Sequence, residues 1–513
     1  MNATIRLRTL TTKYKYLFFF FVVGFVLLLS SHNSFLYKFS EYADSNYFYL
    51  SAKLLLQGKI LYRDFFEQKG PIIYFLNVLG QILVPDSFHG MYVLEVVFAL
   101  FYCKYIYLVL YVINSKREFF NVIVTAVSAC VVYGSNIICG GGEIEEFALP
   151  LFAYTMYHIV AYIAQNRRLS IGTLICIGIH AGLLFWAKYA VLAFYIPCII
   201  VGVVICIKRK NFKQICDAIL FGTIGFLSVS ACMAAYFIYT DSIRQMVEVY
   251  FLANTFDYKS SCFDGHNPFY SLVLNLYAFL SSGKFFNLLY FLVFMFLIIK
   301  ERSISKDKTK SELFLLIGCL YAGVLAITAF CGLYWPYYYI PVCTVYAPMF
   351  VMAYDEVSDS KSHQKVAKRL FVAVLSTYVG VAVILSAVVG LSHRDANYNV
   401  RSELVDTIKD CGYSDVRILN HMDSGYYYLL NEVPDRYYFN FSNLRKDVIY
   451  AETVDSIEKS VADCVIVEFE KDHIVEIDNM SDYFNSYGYG VLYKGNLPSG
   501  EVVILYGRVC DRY

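Results

Sequence analysis

The chain has 513 residues, 58% hydrophobic and only 17% charged, with 48 Tyr and 42 Phe, and its mean hydropathy is +0.51. Soluble domains carry roughly 25% charged residues, so the composition points to a polytopic membrane protein and excludes an ordinary soluble enzyme. The net charge of +1, with no dense basic patch interleaved with aromatics, gives no footing for nucleic acid.

In chain order, Arg6, Arg8, Lys13 and Lys15 precede the apolar run Leu17 to Leu29. Ser30-Ser31-His32-Asn33 offers no small-x-small cleavage site, so this reads as an uncleaved first span with its basic end in the cytoplasm. Hydropathy and length predict eleven spans, over 16–34, 91–113, 119–138, 146–164, 170–186, 189–207, 215–239, 284–299, 311–331, 335–354 and 369–391. Lys116-Arg117, Arg167-Arg168, Lys208-Arg209-Lys210, Lys300 to Lys310 and Lys361 to Arg369 then share the cytoplasmic side, as the positive-inside rule requires. Pro71 to Val84 is too short to cross and reads as a juxtamembrane or partly inserted helix.

This topology puts the 35–70 loop, the turn Gly140 to Glu146, Lys188, the 240–283 loop and Cys331 to Pro336 on the outer face. The 15 cysteines form no C-x-x-C pair. Cys411, Cys464 and Cys510 lie in the tail and leave any disulfide open. The predicted fold is a polytopic all-α bundle over 1–392, with the first outer loop at 35–70. A small extracytoplasmic α/β domain follows over 393–513. In it, β-like runs begin at Val416, Arg436, Cys464 and Val502, with helices near 443–459 and 475–486.

Charged groups near a membrane surface need pairing or solvation, which makes them functional candidates. Asp44 precedes Tyr47 to Leu56, a stretch with apolar residues at helical spacing that reads as an interfacial amphipathic helix. Asp44 or Ser45 could cap that helix, or Asp44 could be a catalytic carboxylate; position alone does not choose. Arg63-Asp64-Phe65-Phe66-Glu67-Gln68-Lys69-Gly70-Pro71 ends with Pro71 suited to a first helical turn. Lys69 and Arg63 near that helix start could hold a phosphate; on charge alone, snorkelling explains them as well.

Gly140-Gly141-Gly142 allows a tight turn, and Glu143, Glu145 and Glu146 follow it. Read in isolation, this is a solvated turn with acids favoured by the helix dipole; a raised pKa or a cation site is the functional alternative. Lys188 beside Trp186 is either an interfacial lysine or a phosphate ligand. Tyr334 to Tyr339 reads as an aromatic belt or a sugar-pocket lining. No Walker A, H-E-x-x-H, G-x-S-x-G or Rossmann pattern occurs, which leaves ATP-driven transport and metalloprotease chemistry without support.

The order of these features resembles the GT-C superfamily of membrane glycosyltransferases. The resemblance rests on Asp44-Ser45-Asn46, Tyr62-Arg63-Asp64, Glu67-Gln68-Lys69-Gly70-Pro71, Gly141-Gly142 and Glu145-Glu146-Phe147-x-Leu149-Pro150. It is most similar to family 39, which includes the protein O-mannosyltransferases and the aminoarabinose transferase. The likeness covers roughly residues 1–350 and is most specific over 35–75.

The resemblance implies transfer of a sugar from a polyprenyl-phosphate donor to a glycan, lipid or protein acceptor at the outer face of the cell membrane. It implies Asp44 as catalytic base. Lys69, with Arg63 and Lys188, would contact the lipid phosphate. Glu67 and one of Glu145 or Glu146 would give acidic support or hold a divalent cation. Three departures stand out: a lone acid where the mannosyltransferases pair two, Gly70 between Lys69 and Pro71, and no histidine in the tyrosine-rich run. The rival readings are a lipid-linked glycan flippase or transporter, which would place its charges near the midplane, and a polysaccharide polymerase.

Overall fold

A computed structural model describes residues 11–257, 268–281, 286–329, 335–358, 394–419, 421–442, 444–469, 474–498 and 500–508, with single positions between 369 and 391. The helices in the first half are α1 (Lys15–Ser30), α2 (Ala43–Leu56), α3 (Pro71–Leu83), α4 (His89–Ile113), α5 (Glu118–Tyr133), α6 (Ile144–Gln165), α7 (Ile171–Lys188) and α8 (Tyr195–Lys208). Then come α9 (Phe212–Tyr239), α10 (Pro268–Ser281), α11 (Phe286–Ile299), α12 (Lys308–Ala329) and α13 (Tyr346–Ser358). The tail holds α14 (394–411), β1 (Val416–Leu419), α15 (Tyr426–Leu430), α16 (Lys446–Glu458), β2 (Cys464–Phe469), α17 (Ile474–Ser486), β3 (Tyr489–Asn496) and β4 (Val502–Arg508).

The apolar runs fold into helices, but fewer of them individually reach membrane length. Among the described residues, five stretches are long and apolar enough to cross: His89–Ile113, Ile144–Gln165, Ile171–Lys208, Phe212–Tyr239 and Lys308–Ile327. A sixth follows if Leu272–Ser281 and Phe286–Ile299, bent by 105°, form one span. Lys15–Ser30 and Pro71–Leu83 are apolar but shorter. Ile171–Lys208 has 38 residues, a rise of about 57 Å, nearly twice one crossing. Lys188 is extended there (φ −165°, ψ 99°) and a 3-10 turn over Tyr189–Phe194 separates α7 from α8.

The stretch predicted as a span over 335–354 begins instead as 3-10 turns over Pro336–Val345, with Pro336 at their start and Pro341 inside. Each proline lacks an N–H for regular helix bonding. The predicted 240–283 loop contains helical turns over Ile243–Met246 and Val247–Asp257, besides α10. Met246, Val249, Tyr250 and Ala253 are buried, a helical spacing that gives this segment its own apolar stripe. The expected span 369–391 lies outside the described residues, apart from single positions.

The chain divides into two compact units. The first comprises 1–34, 91–235 and 265–388. Glycines let two of its helices touch backbone to backbone. A Cβ on Gly178 of α7 would meet the Gly222 carbonyl oxygen of α9 at 2.0 Å, and one on Gly225 would meet that of Ile175 at 2.1 Å. Such small-residue faces replace the hydrophobic driving force that lipid removes.

The second unit comprises 35–90, 236–264 and 389–513, so the first predicted outer loop packs in the same body as the tail. Its four-stranded sheet runs in the order β1-β2-β4-β3. β1 and β2 are parallel, with Ile418 opposite Ile466. β4 is antiparallel to β2 and to β3. Val465, Val467, Ile504 and Tyr506 join Phe484 of α17 and Ile457 of α16 in one apolar core.

Two predictions in this unit need correction. The helix around Tyr47 is not interfacial: every residue from Ser45 to Ala52 is buried. Aromatic rings from the tail cover it, with Tyr47 against Phe439 (5.1 Å between centroids) and Tyr49 against Tyr428 (5.2 Å). The run Arg436-Tyr437-Tyr438-Phe439 is not a strand. Its Tyr437 carbonyl accepts the Phe66 N–H at 2.8 Å, and Arg436 donates to Asp415 and to the Val416 carbonyl. Cys411 and Cys464 are free thiols.

Gly225→Ala should lower the unfolding temperature of the protein in nanodiscs, since overpacking costs about 1–3 kcal/mol. Gly202→Ala is the control, because nothing lies within 4 Å of its added Cβ; equal effects of both substitutions would contradict the close α7–α9 contact.

Candidate functional site

Asp44 occupies the second position of α2, behind an N-cap at Tyr42, and no side chain caps the helix. The capping alternative is therefore not realised. The carboxylate still lies where the helix dipole favours negative charge. Lys69 Nζ stands 3.7 Å from Asp44 Oδ2, and the two side chains are only 14% and 12% exposed. A pair this sheltered is screened far less than one in open water.

The backbone around Lys69 is held from several sides. Tyr62, at a positive φ of 66°, donates its hydroxyl to the Lys69 carbonyl at 2.6 Å. Asn254 Nδ2 donates to the Gln68 carbonyl at 2.6 Å, and Ser442 donates to Gln68 Oε1 at 3.3 Å. Gly70 is the N-cap of α3, and Pro71 is its first residue, in the first turn where the sequence predicts it. Pro71 has no N–H to leave unsatisfied there.

Glu67 is buried and accepts the N–H groups of Gln68 (2.5 Å) and Lys69 (3.3 Å). Burial pushes its carboxyl up to about 7, while the Lys69 charge pulls the other way. Tyr47, one helical turn beyond Asp44, is fully buried, and burial with the charges of Glu67 and Asp44 holds its phenol well above the usual range. Arg63 is placed differently. Its Nε and Nη2 pair with Asp64 and its Nη1 donates to the Thr240 carbonyl, so its guanidinium is already committed within the chain.

The other predicted residues lie in the first unit. Cys139, Gly140, Gly141 and Gly142 all have positive φ, between 48° and 91°. A Cβ on Gly140 would strike the His32 ring at 2.9 Å, and one on Gly141 would meet Glu95 Oε1 at 2.7 Å. The turn is thus packed against side chains, which corrects the reading of it as solvated. Glu143, Glu145 and Glu146 are each no more than 2% exposed.

The structure gives these carboxylates distinct partners. Lys188 Nζ lies 2.5 Å from Glu145 Oε1, and sits 4.2 Å from the Tyr338 ring centre and 4.8 Å from that of Tyr337. Part of the tyrosine run is therefore a cation–π cradle for Lys188. Glu146 accepts the Gly142 N–H at 3.0 Å and braces the turn. Glu95 is fully buried in α4 and accepts from Asn33 Nδ2 at 2.6 Å. Sequence reasoning missed Glu95, although an acid inside an apolar run was the available signal. Among the described residues, no three His, Cys, Asp or Glu side chains gather closely enough to hold a metal ion. Glu67 takes two backbone N–H groups, Glu145 the Lys188 ammonium and Glu146 the Gly142 N–H, while Glu145 Oε2 and Glu146 Oε1 are buried with no hydrogen-bond partner among the described residues.

No protein-family model matches the chain, and no curated protein matches it. Solved structures do share its fold. The structure of ArnT from Cupriavidus metallidurans bound to undecaprenyl phosphate superposes with a TM-score of 0.61 at 12% identity, covering 94% of this chain and 97% of that one. The apo state of the same protein gives 0.57 at 12% identity, over 94% and 96%. The likeness establishes that this chain and those structures share a fold.

Glu67 provides a test by pH. Its folded-state value of about 7 lies above its ordinary 4.5, so the neutral carboxyl's contribution is complete below about pH 4.5 and is lost as pH rises through 7. That loss is on the order of 3 kcal/mol. Thermal unfolding from pH 5 to 8 should show wild type falling relative to Glu67→Gln; parallel curves would contradict a buried, near-neutral Glu67.

Proposed function

We propose that this chain is an integral-membrane glycosyltransferase that takes a sugar from a polyprenyl-phosphate donor and passes it to a hydroxyl acceptor at the outer face. The observation that carries this reading is the sheltered Asp44–Lys69 pair, on a fold shared with a protein solved with undecaprenyl phosphate. Fold alone does not fix function; the pair supplies the chemistry. In this reading the N-terminus is cytoplasmic and the second unit faces outward, as the loop charges favour.

The acceptor oxygen attacks the anomeric carbon as the bond from that carbon to the phosphate oxygen breaks, with inversion. The acceptor proton goes to Asp44, acting as general base. The bonding electrons leave with the polyprenyl phosphate, whose charge Lys69 meets. In-line displacement puts base and leaving group on opposite sides of the carbon, so the ion pair must open around the donor. An incoming phosphate gives Lys69 a new anion and leaves Asp44 free for the acceptor. Glu67 fixes the Lys69 backbone. Lys188, held by Glu145, is a separate candidate for contact with a lipid phosphate.

Turnover can be read without knowing the acceptor, as slow release of free lipid phosphate from a panel of undecaprenyl-phosphate sugars in nanodiscs. Asp44→Asn should lower it by about 10²–10⁴-fold and Lys69→Gln by about 10²–10³-fold, with carrier lipid still bound by Asp44→Asn. Equal turnover in wild type and Asp44→Asn would remove Asp44 as the base. A transporter would keep moving lipid in that variant, and a polymerase would build a lengthening chain.

A further inference from the structure

The second unit holds another polar centre, at the carboxyl ends of the parallel strands β1 and β2. Ligands of open α/β sheets settle outside such strand ends. Glu468, near the end of β2, accepts from the Tyr426 hydroxyl at 2.6 Å and from Ser424 Oγ at 2.9 Å. Arg401 Nη2 stands 3.8 Å from the same oxygen, and His421 Nδ1 stands 3.9 Å from the other. His421 Nδ1 also lies 2.9 Å from the Met422 carbonyl, a contact that suits a proton on Nδ1.

Beside this cluster, two side chains each use only one end. Asp423 Oδ1 accepts the N–H groups of Gly425 (3.0 Å) and Tyr426 (2.7 Å). Asn440 Oδ1 accepts those of Asp423 and Phe441, both at 2.8 Å. These bonds fix how each group is turned. Asp423 Oδ2 and Asn440 Nδ2 are then buried with no hydrogen-bond partner among the described residues, as are Arg401 Nε and Nη1 and His421 Nε2. Asp423 is 0% exposed, Asn440 3% and Arg401 5%. An unsatisfied buried polar group costs about 1–3 kcal/mol, and here several gather at one strand end.

The chemistry of the spare groups selects the ligand. Arg401 lies beside Glu468 and within the field of Glu41, and Asp423 adds a further acid to the centre, which therefore has no excess of positive charge and does not suit an anion. It offers donors on Arg401 and Asn440 and an acceptor on Asp423. Sugar hydroxyls donate and accept, and an adjacent carboxylate and amide can hold two neighbouring hydroxyls at once. The centre also connects to the Asp44 helix. Tyr47 lies one turn beyond Asp44, and its hydroxyl points to the Asn440 carbonyl at 3.5 Å.

We propose that Asp423, Asn440, Arg401 and His421 form a saccharide-binding site that holds a sugar unit of the acceptor, an assignment that rests on the transferase reading. Binding is measurable without turnover, so the two readings can fail separately. The experiment is saturation-transfer difference NMR on the full chain in nanodiscs, with methyl glycosides of glucose, galactose, mannose and N-acetylglucosamine at millimolar concentration. Wild type and Asp44→Asn should both saturate the ring protons of at least one glycoside, and added undecaprenyl phosphate should not displace it. Asp423→Asn, which keeps an Oδ1 acceptor for the two N–H groups, and His421→Gln, at a partly accessible ring, should weaken binding about tenfold with wild-type unfolding temperatures. No saturation of any glycoside by wild type, or equal saturation in both variants, would overturn the site. Displacement by undecaprenyl phosphate would overturn its assignment to the acceptor.

Discussion

A carboxylate taken out of water must be given N–H groups, a cation or a proton, because burying it alone costs several kcal/mol. That constraint governs the irregular parts of both units. Glu67 takes two backbone N–H groups from the loop that follows it, which fixes the backbone of Lys69. Lys69 in turn meets Asp44. In the first unit, four successive residues adopt positive φ, and the turn they form aims the Gly142 N–H at Glu146. Gly140 and Gly141 reflect packing as well as backbone freedom, since side chains occupy the space a Cβ would need.

The second constraint is on Asp44. A base in the first turn of an exposed interfacial helix would be loosely placed and well hydrated. Here α2 is enclosed by aromatic rings of the tail and by Phe48 packing on Tyr74 of α3. The proposed role of Asp44 as a base would need such support from behind. The tail is therefore part of what holds the first-loop residues, and the loop over 437–442 touches α2 through Tyr47 and the Lys69 loop through Ser442.

Much of the local geometry of the candidate site was legible in the sequence because its signals are local. Glu67, Lys69 and Pro71 lie within five positions, and Pro71 marks the helix start that the structure shows. The strands at Val416, Cys464 and Val502 were legible as β-branched runs. What was not legible depends on distant partners. The apolar spacing of Tyr47 to Leu56 looks the same whether lipid or Phe439 and Tyr428 cover it. The run at Arg436 has strand-like residues, yet its backbone is used by Phe66. β3 (Tyr489–Asn496) was missed because two glycines and a lysine dilute its pattern, and it lies at the sheet edge with much of its face exposed. Glu95 was passed over because a lone acid in a span shows its meaning only once Asn33 is seen beside it.

The central claim is that Lys69 receives the lipid phosphate. The most direct measurement is cryo-electron microscopy of the full chain in nanodiscs with undecaprenyl phosphate added. The account predicts phosphate density within hydrogen-bond distance of Lys69 Nζ, with the Lys69–Asp44 contact opened. Phosphate density at Lys188 alone, with the Lys69–Asp44 pair still closed, would contradict it.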